Sequence, residues 1–254
     1  MIVLYKDLSK TYNILRVVTI ITIVGLVVAL VINRNSLYIP VFFGGIILML
    51  VLSIIFNRLA ANRNKHIISQ IMDGYPDQAI DYINQYLETV TDETGKNLLN
   101  TFLAEAYYYH GDFLKCVQLL EEVDEYSKTA PINLSFIMKS TAYSFSMYTL
   151  YHMGRMSEAE AMKKKYLDTF EEDETTKNFD IIKNIPDASD DKLQEYIKHF
   201  SKDFKDPKSL LVSKVSSQYY MAKIYDRLGD SKNAEKCRTY IKENGRNTFF
   251  VRWV

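Results

Sequence analysis

The chain begins with two long apolar runs, and apolar residues recur at helical spacing through most of the rest. Between Arg16 and Arg34 lie 17 uncharged residues, and between Arg34 and Arg58 lie 23 more. Crossing the hydrocarbon core of a bilayer takes about 20 mostly apolar residues in a helix, within a range of roughly 17 to 25. The pattern therefore predicts two transmembrane helices, at about 15–33 and 37–57.

The positive charges around these runs predict their orientation. Three Lys or Arg residues precede the first run and three follow the second, whereas the connecting loop contains only Arg34. Short segments rich in Lys and Arg stay in the cytosol. We therefore expect a multi-pass cell-membrane protein with both termini cytosolic, in which residues 1–60 are the membrane anchor and residues 61–254 a cytosolic domain. The flanking cations are Lys6, Lys10, Arg16, Arg58, Arg63 and Lys65.

The segment that joins the anchor to the cytosolic domain has no residue that breaks helices. No glycine or proline lies between Gly45 and Gly74, and these two residue types are the strongest interruptions of regular structure. The second span is therefore predicted to continue without a break into the first helix of the domain. About 28 residues at 1.5 Å each would extend about 42 Å.

Four segments of the cytosolic domain share one pattern. In each, a helical stretch ends at a glycine, and a small residue follows five positions later. Glycine supplies the left-handed conformation that closes a helix, and the small residue lets a second helix cross closely against the first. The glycines are 37, 43 and 75 residues apart, so the last interval has room for one divergent unit. The glycines are Gly74, Gly111, Gly154 and Gly229, and the small residues are Ala79, Cys116, Ala159 and Ala234.

These units resemble the tetratricopeptide repeat (TPR) family. In the unit around Gly111, Leu103 and Ala104 stand where the family has its Leu-Gly pair, and Tyr107 stands at its tyrosine. The family's opening tryptophan is missing from every unit, and the segment 175–208 departs most from the pattern. The unit before Gly229 fills the same places with Met221, Ala222 and Tyr225.

The resemblance implies an all-α fold in which two N-terminal transmembrane helices precede a TPR-like α-solenoid of helix-turn-helix units. TPR-like repeats serve generally as binding scaffolds, so it also implies a membrane-anchored adaptor or scaffold with a protein or peptide partner. The alternative is a structural subunit of a membrane complex, or of a homo-oligomer, that has no separate peptide ligand.

A tyrosine-rich stripe is the candidate binding surface. Glu105, Tyr108 and Tyr109 lie at i, i+3 and i+4, apart from the core stripe of Tyr107. The resemblance implies that this stripe lines the concave surface. Tyrosine combines a rigid apolar body with a hydrogen-bonding tip, and with few cations present an acidic ligand is disfavoured. The predicted partner-binding residues are Glu105, Tyr108, Tyr109, Tyr148, Tyr151, His152 and Lys223.

The composition offers no sign of catalytic or nucleic-acid chemistry. The chain contains 31 basic and 31 acidic residues, and the cytosolic part is mildly acidic, which disfavours nucleic acid as a partner. The four histidines lie in separate units without a second metal ligand at helical spacing, and no phosphate-binding loop is present. We therefore expect no metal, no cofactor and no enzymatic activity. The two cysteines, Cys116 and Cys237, are expected to be small buried hydrophobes.

The C-terminal segment, Asn247 to Val254, contains the only tryptophan of the chain. Because the last helix of a solenoid needs a cover, one hypothesis is a cap folded on the final repeat. The other is an exposed apolar tail that docks on a partner or on the membrane surface.

Overall fold

The computed structural model describes residues 17, 20, 21, 24 and 25 and the continuous segment 38–254. The first predicted span, at about 15–33, therefore lies almost entirely outside the described residues. Within this described part, no helix is both long enough and apolar enough to cross a membrane.

The continuous segment 38–254 is built from helices and contains no strand, so the prediction of an all-α fold is confirmed for it. Its helices are α1 (Tyr38–Met72), α2 (Pro76–Leu87), α3 (Glu93–His110), α4 (Phe113–Ser127), α5 (Ile132–His152), α6 (Met156–Leu167), α7 (Glu174–Asn184), α8 (Asp190–Lys205), α9 (Leu211–Arg227), α10 (Ser231–Asn244) and α11 (Phe249–Arg252). Helix α1 is unbroken over 35 residues, as the absence of glycine and proline after Gly45 predicts.

The described residues fall into two compact units. One contains the residues up to His66 together with Gln85–Val90, and the other contains Ile67–Asn84 and Thr91–Val254. The candidate functional site lies wholly within the second unit.

The four predicted helix-ending glycines all adopt the left-handed conformation. Their φ angles are 81° at Gly74, 85° at Gly111, 75° at Gly154 and 72° at Gly229, a region that is strained for residues with a Cβ atom. The small residues five positions later are fully buried, which allows the two helices of each pair to approach closely. The buried small residues are Ala79, Cys116, Ala159 and Ala234. Both parts of the helix-turn-helix prediction are therefore confirmed.

The second unit stacks consecutive helices. Helices α3, α4, α5 and α6 pack in succession, each against the one before it, and so do α8, α9, α10 and α11. The first helices of successive pairs also pack together, α3 with α5 and α5 with α7, an arrangement compatible with an α-solenoid. Helices α7 and α8 occupy the long interval between Gly154 and Gly229, where the glycine spacing predicts a further unit. Cys116 and Cys237 are buried and free, as predicted.

Candidate functional site

Three helices bring tyrosine side chains together around Tyr108, and we call this surface the inner face. Tyr108 on α3 lies 6.5 Å from Tyr148 and 6.0 Å from His152, both on α5, between ring centroids. Helix α9 adds Tyr220, whose hydroxyl lies 3.2 Å from Nε2 of His152. The fold therefore places three of the predicted binding residues in one aromatic cluster.

Tyr220 is a member of this cluster that the sequence analysis missed. It lies three residues before Lys223, so it shares a helix stripe with a residue that was predicted. The sequence could have indicated Tyr220 if the stripe that contains Lys223 had been followed one turn toward the N-terminus of α9. Tyr220 is 2% exposed, and burial raises the pKa of its phenol well above the usual value.

His152 is a neutral member of the inner face. Its ring stacks on Phe113 at 5.3 Å between centroids and 8° between planes. Burial, followed by the charge of Lys223, lowers the pKa of His152 to about 3. The hydroxyls of Tyr220 and Tyr108 lie 3.2 Å and 3.5 Å from its Nε2 atom. His152 therefore joins α3, α5 and α9 as an uncharged hydrogen-bonding group near neutral pH.

The C-terminal tail, residues Asn247 to Val254, covers part of the inner face. Phe249 is 0% exposed, and its ring lies 5.7 Å from Tyr108, 5.3 Å from Phe113 and 5.1 Å from His152. Phe250 is equally buried and packs against Tyr219 at 5.2 Å. Of the two hypotheses for this segment, the structure favours the cap on the final repeat, because α11 packs against α9 and α10.

The cap extends well beyond the last helix pair, which the sequence analysis did not predict. Arg246 donates a hydrogen bond to the carbonyl of Asp73, and the backbone N–H of Asn247 donates to the carbonyl of Gly74 at 3.1 Å. Arg252 donates to the carbonyl of His110. The C-terminal segment thus connects the turn after α1 with the turn after α3, which are distant in sequence.

Beside the tail, the inner face opens into a cavity of about 420 Å³. Side chains from α3, α5, α7, α8 and α9 line it, among them Tyr109, Tyr148 and Phe200. The hydroxyl of Tyr148 donates to the carbonyl of Thr175 at 2.7 Å, which fixes the ring in the wall. The tail therefore fills one part of the inner face and leaves the other part open.

Four of the seven predicted binding residues lie in the open or the filled part of the inner face. Tyr108 lies at the boundary, in contact with Phe249 and in the cavity lining. Tyr109 and Tyr148 line the cavity, whereas His152 lies beside Phe249. The three others lie outside the cavity lining: Glu105 is partly buried, Tyr151 donates to the carbonyl of Ile182, and Lys223 lies over the ring of Tyr219.

Comparison of the chain with protein-family models, with curated proteins and with solved structures finds no match. Function is therefore inferred from the side chains of the inner face and from their geometry.

The raised pKa of Glu105 on α3 predicts how the stability of the protein changes with pH. Burial raises the pKa of its carboxyl from 4.5 to about 7, so the folded state binds this proton more tightly than the unfolded state does. The contribution of Glu105 to stability therefore falls as the pH rises from about 4.5 to about 7. We expect Glu105→Gln to stabilise the protein by about 2 kcal/mol at pH 8, allowing for partial exposure, and to have no effect at pH 4.

Thermal unfolding of the wild type and of Glu105→Gln across this pH range measures the effect. The lowered pKa of His152 has the opposite effect on stability. Below about pH 6.5 this histidine gains a proton in the unfolded state before it does so in the folded state, so its contribution to stability falls as the pH falls. This contribution is common to both proteins and cancels in their difference. Equal melting temperatures of the two proteins at pH 8 would contradict the prediction.

Proposed function

We propose that this protein is a membrane-anchored adaptor whose cytosolic helical domain binds a protein or peptide partner. The observation that carries the proposal is the cavity of about 420 Å³ beside Tyr108, which the tail leaves open. Its size falls within the range of roughly 300–1,000 Å³ that is typical of ligand pockets. Aromatic side chains in its wall, among them Tyr109 and Phe200, supply the rigid apolar area on which peptide anchors bind.

The scaffold in this proposal is a TPR-like α-solenoid. Four left-handed glycines, each followed by a buried small residue, support it. So does the packing of α3 with α5 and of α5 with α7, because first helices of successive repeats are neighbours in a solenoid.

The membrane anchor is supported by the apolar runs and by an exposed stripe on α1. Five aliphatic side chains at helical spacing i, i+3, i+4, i+7 and i+8 are each between 46% and 60% exposed. Such a stripe is unfavourable in water and favourable against lipid. The flanking Lys and Arg residues support an orientation with both termini in the cytosol. The exposed residues are Ile47, Leu50, Val51, Ile54 and Ile55.

Binding rather than catalysis is the proposed activity, with no cofactor. Burial lowers the pKa of His152 to about 3 and raises the pKa of the phenols of Tyr108 and Tyr148. A general acid or base works best with a pKa near the operating pH. These three side chains are therefore suited to packing and hydrogen bonding.

A second candidate function, a structural subunit or homo-oligomer, is favoured by an apolar patch at the start of α5. Ile132 is 90% exposed, Phe136 58% and Ile137 51%. Neighbouring exposed apolar side chains mark surfaces at which proteins associate.

One crosslinking experiment distinguishes the two functions. A photoreactive phenylalanine analogue is placed at Ser213, an exposed residue that lines the cavity, or at Ile132, and the full chain is irradiated in its native membrane. An adaptor should form adducts with another protein from Ser213, and Ser216→Tyr, which narrows the cavity, should abolish them. Copy-to-copy adducts from Ile132, with none from Ser213, would instead identify a structural subunit.

A further inference from the structure

The cavity beside the inner face has an acidic rim. Glu174 at the start of α7 and Asp203 on α8 both line it. Neither carboxylate forms an ion pair or hydrogen bond with any residue in the described part of the chain, and none of the described lining residues is a lysine or arginine. A concave site lined by one sign of charge concentrates ligands of the opposite sign.

The wall of the cavity also contains a hydroxyl that no other side chain or carbonyl of the described residues binds. Ser217 on α9 is 5% exposed and lines the cavity, and its side chain makes no hydrogen bond to a described residue. The Tyr148 hydroxyl already donates its proton to the carbonyl of Thr175, so toward any further group its oxygen can act only as an acceptor. Buried polar groups normally have hydrogen-bond partners. The cavity therefore suits a ligand that donates several hydrogen bonds.

The tail shows which side chains already bind to the part of the inner face next to the cavity. Phe249 packs on Tyr108, which also lines the cavity, and Arg252 lies three residues later, next to Trp253. The filled part of the face thus holds aromatic rings, whereas the side chain of Arg252 lies at the turn after α3 and donates to the carbonyl of His110. A partner segment with an aromatic residue would continue the same kind of contact into the cavity.

We propose that the cavity binds an arginine side chain of a cytosolic partner peptide, with a neighbouring aromatic residue of that peptide against Tyr109 and Phe200. The inference rests on the proposed adaptor function and names the chemistry of its partner. A guanidinium group offers five N–H donors in a plane and binds well against carboxylates and aromatic faces. Glu174 and Asp203 supply the charge, and the hydroxyls of Ser217 and Tyr148 accept hydrogen bonds.

The test uses the full chain in detergent micelles and pools of fluorescein-labelled hexapeptides. All pools share mixed neighbours and differ only at one fixed position, which is arginine, lysine, citrulline or glutamate. Fluorescence anisotropy should show tightest binding for the arginine pool, weakening with added salt. We expect Asp203→Asn and Glu174→Gln each to weaken it by about tenfold, the size of one charge-assisted hydrogen bond. Glu171→Gln, an exposed acid outside the cavity, is the matched control and should change nothing.

Each other outcome overturns a distinct part of the inference. Equal binding of the arginine and citrulline pools would overturn the role of charge while leaving a peptide-binding adaptor. Displacement of the arginine pool by free spermidine at the same concentration as by unlabelled peptide would identify a small polyamine as the ligand. Absence of binding by every pool, together with adducts from Ser213 in membranes, would reject the arginine site and retain the adaptor. Absence of both would reject the proposed function itself.

Discussion

Replacement of Phe249 by alanine is expected to lower the free energy of unfolding by about 3–5 kcal/mol, the usual cost of truncating a buried phenylalanine. The ring is fully buried and contacts aromatic side chains from α3, α4 and α5. Its removal leaves a cavity between the tail and three helices that lie far from the tail in sequence. The second unit should therefore lose stability as a whole, rather than only at its C-terminal end.

Thermal unfolding of the full chain in detergent, followed by circular dichroism, measures this effect. For a domain of this size we expect the melting temperature to fall by roughly 6–20 °C. Leu114→Ala, at a residue 58% exposed and outside the surfaces described above, is the control and should leave it unchanged. If Phe249→Ala does not fold, the milder Phe249→Leu keeps the test available. A melting temperature equal to that of the wild type would show that the tail does not hold the domain together in solution.

Gly111→Ala is expected to have the second-largest effect, because two separate costs meet at this turn. The φ angle of 85° disfavours any residue with a Cβ atom by about 1–2 kcal/mol. A Cβ atom here would also lie 2.7 Å from Cβ of Phe249 and 2.8 Å from Nη2 of Arg252. The tail would have to move away, so we expect a total loss of about 3–4 kcal/mol, the second part being a typical cost of overpacking.

Gly154→Ala separates these two costs. Its φ angle is 75°, and a Cβ atom there would meet nothing within 4 Å. It should therefore show the backbone cost alone. In a chain that ends at Thr248, Gly111→Ala and Gly154→Ala should destabilise equally, because Phe249 and Arg252 are absent. A difference that persists in the shortened chain would mean that contact with the tail does not explain the larger cost at Gly111.

The local features of the fold were readable from the sequence because each depends on neighbouring residues. A glycine that ends a helix is recognisable from the apolar spacing before it and the small residue after it, and Gly111 with Cys116 is one such pair. The long interval before Gly229 likewise predicted room for α7 and α8. The stripe that contains Tyr108 and Tyr109 followed from helical periodicity alone.

The candidate site was only partly predictable, since it joins residues from distant helices. Tyr148 was predicted and lines the cavity. Tyr220 shares a helix stripe with the predicted Lys223 and could have been found, but the place of Ser217 depends on how α9 packs against α8. The open and filled parts of the inner face could not be told apart in the sequence. Their difference depends on where Phe249 lies.

By itself, the sequence determined an all-helical fold for the described segment 38–254, with helix-ending glycines, buried small residues and a tyrosine-rich stripe. These properties are set by backbone conformation and side-chain spacing within about one turn of helix or one tight turn. Only the tertiary structure decided that the tail bridges the turns at Gly74 and Gly111, and that an acid-rimmed cavity remains beside it. The physical reason is that a hydrophobic segment such as the tail gains stability against any apolar surface of suitable shape, and which surface it covers is decided by the three-dimensional packing of the helices.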